Sequence, residues 1–214
     1  MYSRDIVIMA KSNKHGEYCI AGIDINTFEW IRPVSNLTDI ERAVPREHVV
    51  YKDGEEIQLL DVVRISFIEA LPTEAQSENI LYDDTIYWEK IDSWSLVYLL
   101  QLIMPQNLDY IFVNAQKALY ENELTGKSLA FVKIDNPRIL VKNFDNRNKA
   151  TLLFEYKGNE YKFIAISDPC VLKEYIDKPE GVYYIGASSY AVFSLTNKYQ
   201  QDGKYYKMLA TLFM

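Results

Sequence analysis

Trp30-Ile31-Arg32-Pro33 carries the most pointed chemistry in the chain. On a strand, side chains two residues apart share a face, so Trp30 and Arg32 lie together. An indole beside a guanidinium could stack a base and pair with a phosphate. The plainer alternative is a Trp core anchor with Arg32 paired to a carboxylate. Shortly before it come Lys11, Ser12, Lys14 and His15, a turn with two cations that could add phosphate contacts. Far down the chain, Lys142, Arg147, Lys149, Lys157 and Lys162 interleave with Phe144, Tyr156 and Tyr161, and Tyr205, Tyr206 and Lys207 follow. Cations that track a backbone and rings that stack bases are the needs of single-stranded nucleic acid binding. A mixed-charge surface over a Tyr-rich core is the competing reading. The candidate ligand residues are therefore Lys11, Ser12, Lys14, His15, Trp30, Arg32, Lys142, Arg147, Lys149, Tyr156, Tyr206 and Lys207.

Catalytic chemistry has less to draw on. The only histidines are His15 and His48, and the only cysteines Cys19 and Cys170, which excludes a zinc cage or a disulfide framework. Cys19 lies four residues beyond His15, a spacing that does not place the two side by side on a strand. Carboxylates abound (Glu41, Glu47, Glu55-Glu56, Asp83-Asp84), but no spacing selects an acid–base pair. Thr125-Gly126-Lys127-Ser128 resembles the end of a phosphate-binding loop. It lacks the upstream glycine, having Glu121 there, and leads into a strand rather than a helix. The inventory favours a binding module over an enzyme, with no catalytic residue, metal or cofactor expected.

These residues must be positioned by strands. Of 214 residues, 14% are aromatic and 17 are Tyr, a richness that suits sheets. RDIVIMAK, EYCIAGIDI and EWIRPVS form an opening meander, Pro33 placing the end of the third run at an edge. LLDVVRISFIEAL is a long strand, and residues 72–92 look irregular. DSWSLVYLLQLIM starts on a cap and stops at Pro105, predicting a buried helix, and NLDYIFVNAQKALYENE suggests a second helical stretch. Six further strand-like runs follow: SLAFVKI, RILVKNF, TLLFEY, EYKFIAIS, YAVFSL and KYYKMLATLF. Hairpin turns are expected at Lys157-Gly158-Asn159 and Asp202-Gly203. PCVLKEYI, after Asp168, is a short helix. The fold class is mainly β with minor α, and the five or six strands with one short helix past Gly126 are what a five-stranded Greek-key barrel needs.

Residues 1–125 carry ten Lys+Arg and 21 Asp+Glu, and residues 126–214 carry 13 and nine. An acidic half and a mildly basic half predict two domains, 1–125 with a helical insertion and 126–214. The longest apolar stretch, Trp94 to Met104, is too short to span a bilayer, and the N-terminus does not read as a signal peptide. The expectation is a reduced cytoplasmic protein without a membrane partner.

IVIMAKSNKHGEYCIAGID followed by EWIRPVSN resembles the opening of the prokaryotic dual OB-containing domain family. The resemblance runs on through LLDVVRISF, ENILYDDTIYWEK, KSLAFVKIDNPRI, YKGNEYKFIAISDP and FSLTNKYQQDGKYYKMLATLF, nearly the whole chain in order. It implies two OB-like barrels packed in one compact unit. It also implies a nucleic-acid or nucleotide-binding role of the kind associated with bacterial and phage conflict systems, such as antiviral defence. The residues carried over are Ser12, Lys14, Gly16, Cys19, Gly22, Trp30, Arg32, Pro33, Trp88, Asp168, Pro169, Ser194, Tyr206 and Lys207. The chain departs from the family's "SLGEPF"-like turn, having SLTNKY instead. The leading expectation is a non-enzymatic module for single-stranded nucleic acid or an oligonucleotide. A sensor of a small nucleotide-derived signal is the second, and a scaffold whose acidic half docks a basic protein partner is the third.

Overall fold

The computed structural model describes residues 1–14, 16–145 and 147–214. His15, one of the candidate ligand residues, lies outside them. The chain divides into two units, Met1–Met104 and Pro105–Met214.

The first unit contains β1 (Tyr2–Lys14), β2 (Glu17–Asp24), β3 (Trp30–Val34), β4 (Asp61–Ala70), β5 (Asn79–Tyr82), β6 (Glu89–Ser93) and α1 (Leu96–Leu102). Its strands run β1-β2-β3-β5-β4, and β4 pairs back onto β1 to close the barrel, with β6 added beside β4. Period-two alternation sends Ile6 and Ile8 of β1 and Tyr18 and Ile20 of β2 into a core shared with Ile31, Val63, Ile65 and Phe67. A register shift between Ile8 and Ala10 bends β1, so that it reaches both β2 and β4. Gly22 permits the closest approach, since a Cβ there would lie 2.5 Å from the Val7 carbonyl oxygen. β3 pairs β2 through Trp30 and Ile31, then runs parallel to β5 through Arg32, Pro33 and Val34. Pro33 thus has a strand neighbour on one side only, where its missing N–H costs no ladder bond.

Buried Asp61 pins the start of β4. Its carboxylate accepts from Tyr51 Oη and Ser93 Oγ, each at 2.8 Å, and from the Gln58 N–H, and pairs with Lys90 at 2.9 Å. Burial opposes its ionisation, but Lys90 and the three hydrogen bonds outweigh that and hold it below the usual carboxylate range.

The second unit contains β7 (Ala118–Leu119), β8 (Leu129–Phe144), β9 (Arg147–Tyr156), β10 (Asn159–Ile166), α2 (Pro169–Tyr175), β11 (Gly181–Tyr184), β12 (Ser188–Leu195) and β13 (Tyr205–Phe213). The order β10-β9-β8-β12-β13 closes through a parallel β10–β13 pair. SLAFVKI and RILVKNF, expected as two strands, are one: β8 bends at Asn136 (φ +49°), with a register shift between Asp135 and Arg138. Before the bend it pairs β12, and after it β11. The β9–β10 hairpin turns on Lys157 (φ +48°) and Gly158 (φ +74°), the left-handed pair that suits a two-residue turn. Asp168 Oδ1 caps α2 by accepting from the Cys170 and Val171 N–H groups, and Oδ2 accepts from the Leu212 N–H of β13.

The structure corrects several expectations. The contact boundary falls between Met104 and Pro105 rather than at 125/126, because Leu108, Ile111, Phe112 and Ala115 pack on the second core. Of the expected second helical stretch, residues 107–123, only the short 3-10 turn Glu121–Glu123 is helical. Tyr156 Oη bonds both the N–H and the C=O of Leu108 at 2.9 Å, and Tyr161 Oη accepts from the Ile111 N–H at 2.9 Å. Side chains thus satisfy backbone groups that a helix would otherwise satisfy. The expected buried helix is the seven-residue α1, with Val97, Tyr98 and Leu102 exposed and only Leu99 buried within it. Residues 72–92 contain β5 and most of β6. The Thr125–Ser128 segment is a turn entering β8. Among the described residues no helix is long and apolar enough to cross a membrane.

Candidate nucleic-acid interface

The end of the β8–β9 hairpin brings three of the expected cations together. Lys142 lies directly opposite Lys149, and Phe144 directly opposite Arg147. Val141 and Ala150, the buried pair preceding Lys142 and following Lys149, point into the core. Period-two alternation therefore turns Lys142, Lys149 and Arg147 outward, where all three are exposed. None of them has an ion-pair partner among the described residues. Like charges directly opposed across strands oppose folding. Two carboxylates lie nearby: Asp145 in the turn, and Glu180, which accepts from the Asn143 N–H.

The same outer face continues onto β11. Val182 lies opposite Leu140 and Tyr184 opposite Arg138. Tyr184 is 76% exposed, an aromatic ring held on a strand with no core to fill. Arg138 reaches Glu160 at 3.7 Å while its buried Nε has no hydrogen-bond partner among the described residues. On β10, a register shift between Tyr161 and Ile164 leaves Phe163 at φ +58° and half exposed, beside Lys162, which pairs with Glu160 at 2.7 Å. Sequence reasoning missed Tyr184, Val182, Arg138 and Phe163. The β-branched and aromatic run GVYY was the available signal for the first two.

The remaining candidates are not on this face. Tyr156 is buried and holds the Leu108 backbone. Tyr206 donates to Asp202 at 2.6 Å, and that bond raises its phenol pKa. Lys207 is 1% exposed, with Nζ donating to the Asn114 carbonyl and to Asn114 Oδ1. Burial pushes its pKa down to about 7, against the pull of Glu123. Its charged head is enclosed in the interior rather than presented on a surface.

In the first unit the expected cluster is largely consumed by its own carboxylates and carbonyls. Lys11 pairs with Glu56 at 3.0 Å and donates to the Ile57 carbonyl at 2.8 Å. Lys14 pairs with Glu41 at 3.4 Å and donates to its carbonyl at 2.9 Å. Ser12 is buried, and its hydroxyl faces the Cys19 carbonyl at 3.5 Å. Arg32 is 4% exposed, with Nη1 3.8 Å from Cys19 Sγ, and Trp30 is half-buried. The expected Trp30–Arg32 platform is therefore not an open surface. Strand parity places the two on one face but does not say whether solvent reaches it.

Charge follows the same division. Residues 1–104 carry nine Lys+Arg and 18 Asp+Glu, a net of −9. Residues 105–214 carry 14 and 12, a net of +2, and the two nets sum to the chain's −7.

Both units close five strands in the order first-second-third-fifth-fourth, with a parallel pair between third and fifth. That is the small Greek-key barrel of OB type, which in general binds along its second and third strands and the loop joining its first two. The chain is thus a tandem of OB-type barrels. It belongs to the dual OB-containing domain (DuOB) family, whose model matches residues 4–212. No curated protein and no solved structure matches it.

Proposed function

We propose that the chain is a non-enzymatic binding module whose second barrel takes single-stranded nucleic acid across the outer face of β11, β8, β9 and β10. Lys142, Arg147 and Lys149 contact successive phosphates, and Tyr184 offers a ring for one base. The observation that carries this reading is the exposed trio of cations, two of them directly opposed, with no carboxylate among the described residues paired to any. Folding alone gives no reason to hold them there, and a polyanion does. Their position at the loop joining the first two strands of an OB-type barrel supports the same reading.

Fluorescence anisotropy with labelled oligothymidylate and oligouridylate at about 50 mM salt, where phosphate contacts are strong, tests it. Binding is expected, and Tyr184→Ala weakens it by about 5- to 150-fold, the usual worth of one stacked base. Absence of binding to either oligomer refutes the proposal.

A further inference from the structure

Away from the hairpin cations, the outer face of the second barrel carries a different set of groups. Arg138 lies four residues before Lys142 on β8, about 13 Å along the strand. Tyr184 of β11 is directly opposite it on one side, and Leu153 of β9 on the other. The Arg138 guanidinium makes no hydrogen bond among the described residues. Its charge partner is Glu160 of β10 at 3.7 Å, an ion pair too long for a hydrogen bond. Glu160 is exposed, with Oε1 towards Arg138 and Oε2 paired to Lys162 at 2.7 Å. Both oxygens keep lone pairs for further donors. Glu155 lies directly opposite Glu160 and accepts from Asn136 Nδ2 at 3.3 Å.

These placements divide the face. Lys142, Arg147 and Lys149 attract phosphates at the hairpin end, and Glu155 with Glu160 repels them further along. That part of the face suits a base edge rather than a sugar-phosphate backbone. A base stacked on the Tyr184 ring, which is 76% exposed, has its edges beside a forked donor and a carboxylate acceptor. A guanidinium donates in parallel to two acceptors in one plane, the pattern of guanine O6 and N7. The carboxylate accepts only, so it needs donors. Guanine adds them on the adjoining edge, as N1–H and the 2-amino group. Adenine sets a single acceptor beside its amino group, cytosine has an amino group without the acceptor pair, and thymine has no amino group.

We propose, building on the nucleic-acid reading above, that this part of the face selects guanine. The base stacks on Tyr184, Arg138 donates to O6 and N7, and Glu160 accepts from N1–H and the 2-amino group. Lys142, Arg147 and Lys149 hold the strand whatever its sequence, and Arg138 with Glu160 reads one base of it.

Anisotropy titrations of oligothymidylate carrying one central dG, dA, dC or dT, at about 50 mM salt, test this. The dG oligomer is expected to bind at least about fivefold tighter than the other three, the lower end of what one bidentate base contact is worth. Deoxyinosine lacks the 2-amino group, and 7-deazadeoxyguanosine lacks the N7 acceptor. Each loses most of the preference with the unaltered protein, so the result does not depend on a variant folding. Arg138→Lys keeps the charge but not the fork. It abolishes the dG preference and leaves the affinity for plain oligothymidylate unchanged. Equal affinity for the four central bases, or preference for another, overturns the inference and leaves the nucleic-acid reading standing. A dG preference that survives both analogues or Arg138→Lys overturns the assignment to these residues. Binding of none of the oligomers refutes both readings.

Discussion

Replacing Lys142 and Lys149 together by Gln separates a functional surface from a structural one. The two residues are directly opposed on the outer face of the β8–β9 hairpin, exposed and without an ion-pair partner among the described residues. As structure they are a liability: like charges in direct opposition cost a few tenths of a kcal/mol, and screening reduces that further. The double variant should therefore be as stable as the parent or slightly more so. As phosphate ligands they are worth much more. Each phosphate neutralised on a single strand contributes about −0.7 to the slope of log affinity against log salt. Three cations give a slope of about −2, and the double variant, left with Arg147, about −0.7. Between about 50 and 200 mM salt the parent then loses about 18-fold in affinity and the variant about threefold. Anisotropy titrations of oligothymidylate at four salt concentrations measure both slopes, and urea melts of the same samples measure stability. An unchanged salt slope in the double variant would refute the reasoning, as would a loss of binding that merely follows a loss of stability.

Three further outcomes follow from buried groups. Lys207 has a folded pKa of about 7 against an ordinary 10.5, so between those values the unfolded chain binds more protons. Its contribution to stability therefore rises as pH is raised from about 7 towards 10.5, by up to about 1.4 kcal/mol per pH unit. Denaturant melts across that range should show the rise in the parent relative to Lys207→Met, and parallel curves would contradict it. Asp168→Ala removes the cap of α2 and strands the Leu212 N–H. The combined loss is about 2–4 kcal/mol, seen as a lower urea midpoint. Gly22→Ala forces a Cβ against the Val7 carbonyl, and the expected loss of about 1–3 kcal/mol or more appears as earlier melting of the first barrel.

Barrel strands were legible because their apolar alternation is strong: Ile6, Ile8 and Ile20 in one unit, Leu152 and Phe154 in the other. The basic trio was legible because Lys142, Arg147 and Lys149 flank a turn, and hairpin pairing then brings them together. Burial was not. Lys207 in a strand reads as a surface cation, and only the long-range placement of Asn114 shows its head enclosed. Arg32 was correctly assigned to the face of Trp30, but its enclosure depends on tertiary packing that period-two reasoning does not reach. Leu108, Phe112 and Ala115 mimic helical spacing, yet hydroxyls from Tyr156 and Tyr161, some 50 residues away, take up the backbone there. Glu47 and His48 share a cleft with Tyr82, Tyr87 and Trp88, from a segment nearly 40 residues later, so neither segment announced it alone.

Backbone amide shifts of the labelled chain, followed through a titration with oligothymidylate at about 50 mM salt, test the central claim most directly. The account predicts that the largest changes fall on residues 138–153 and 181–184, around Lys142, Arg147, Lys149 and Tyr184. Changes confined to residues 1–104, or none at saturating oligomer, would contradict it.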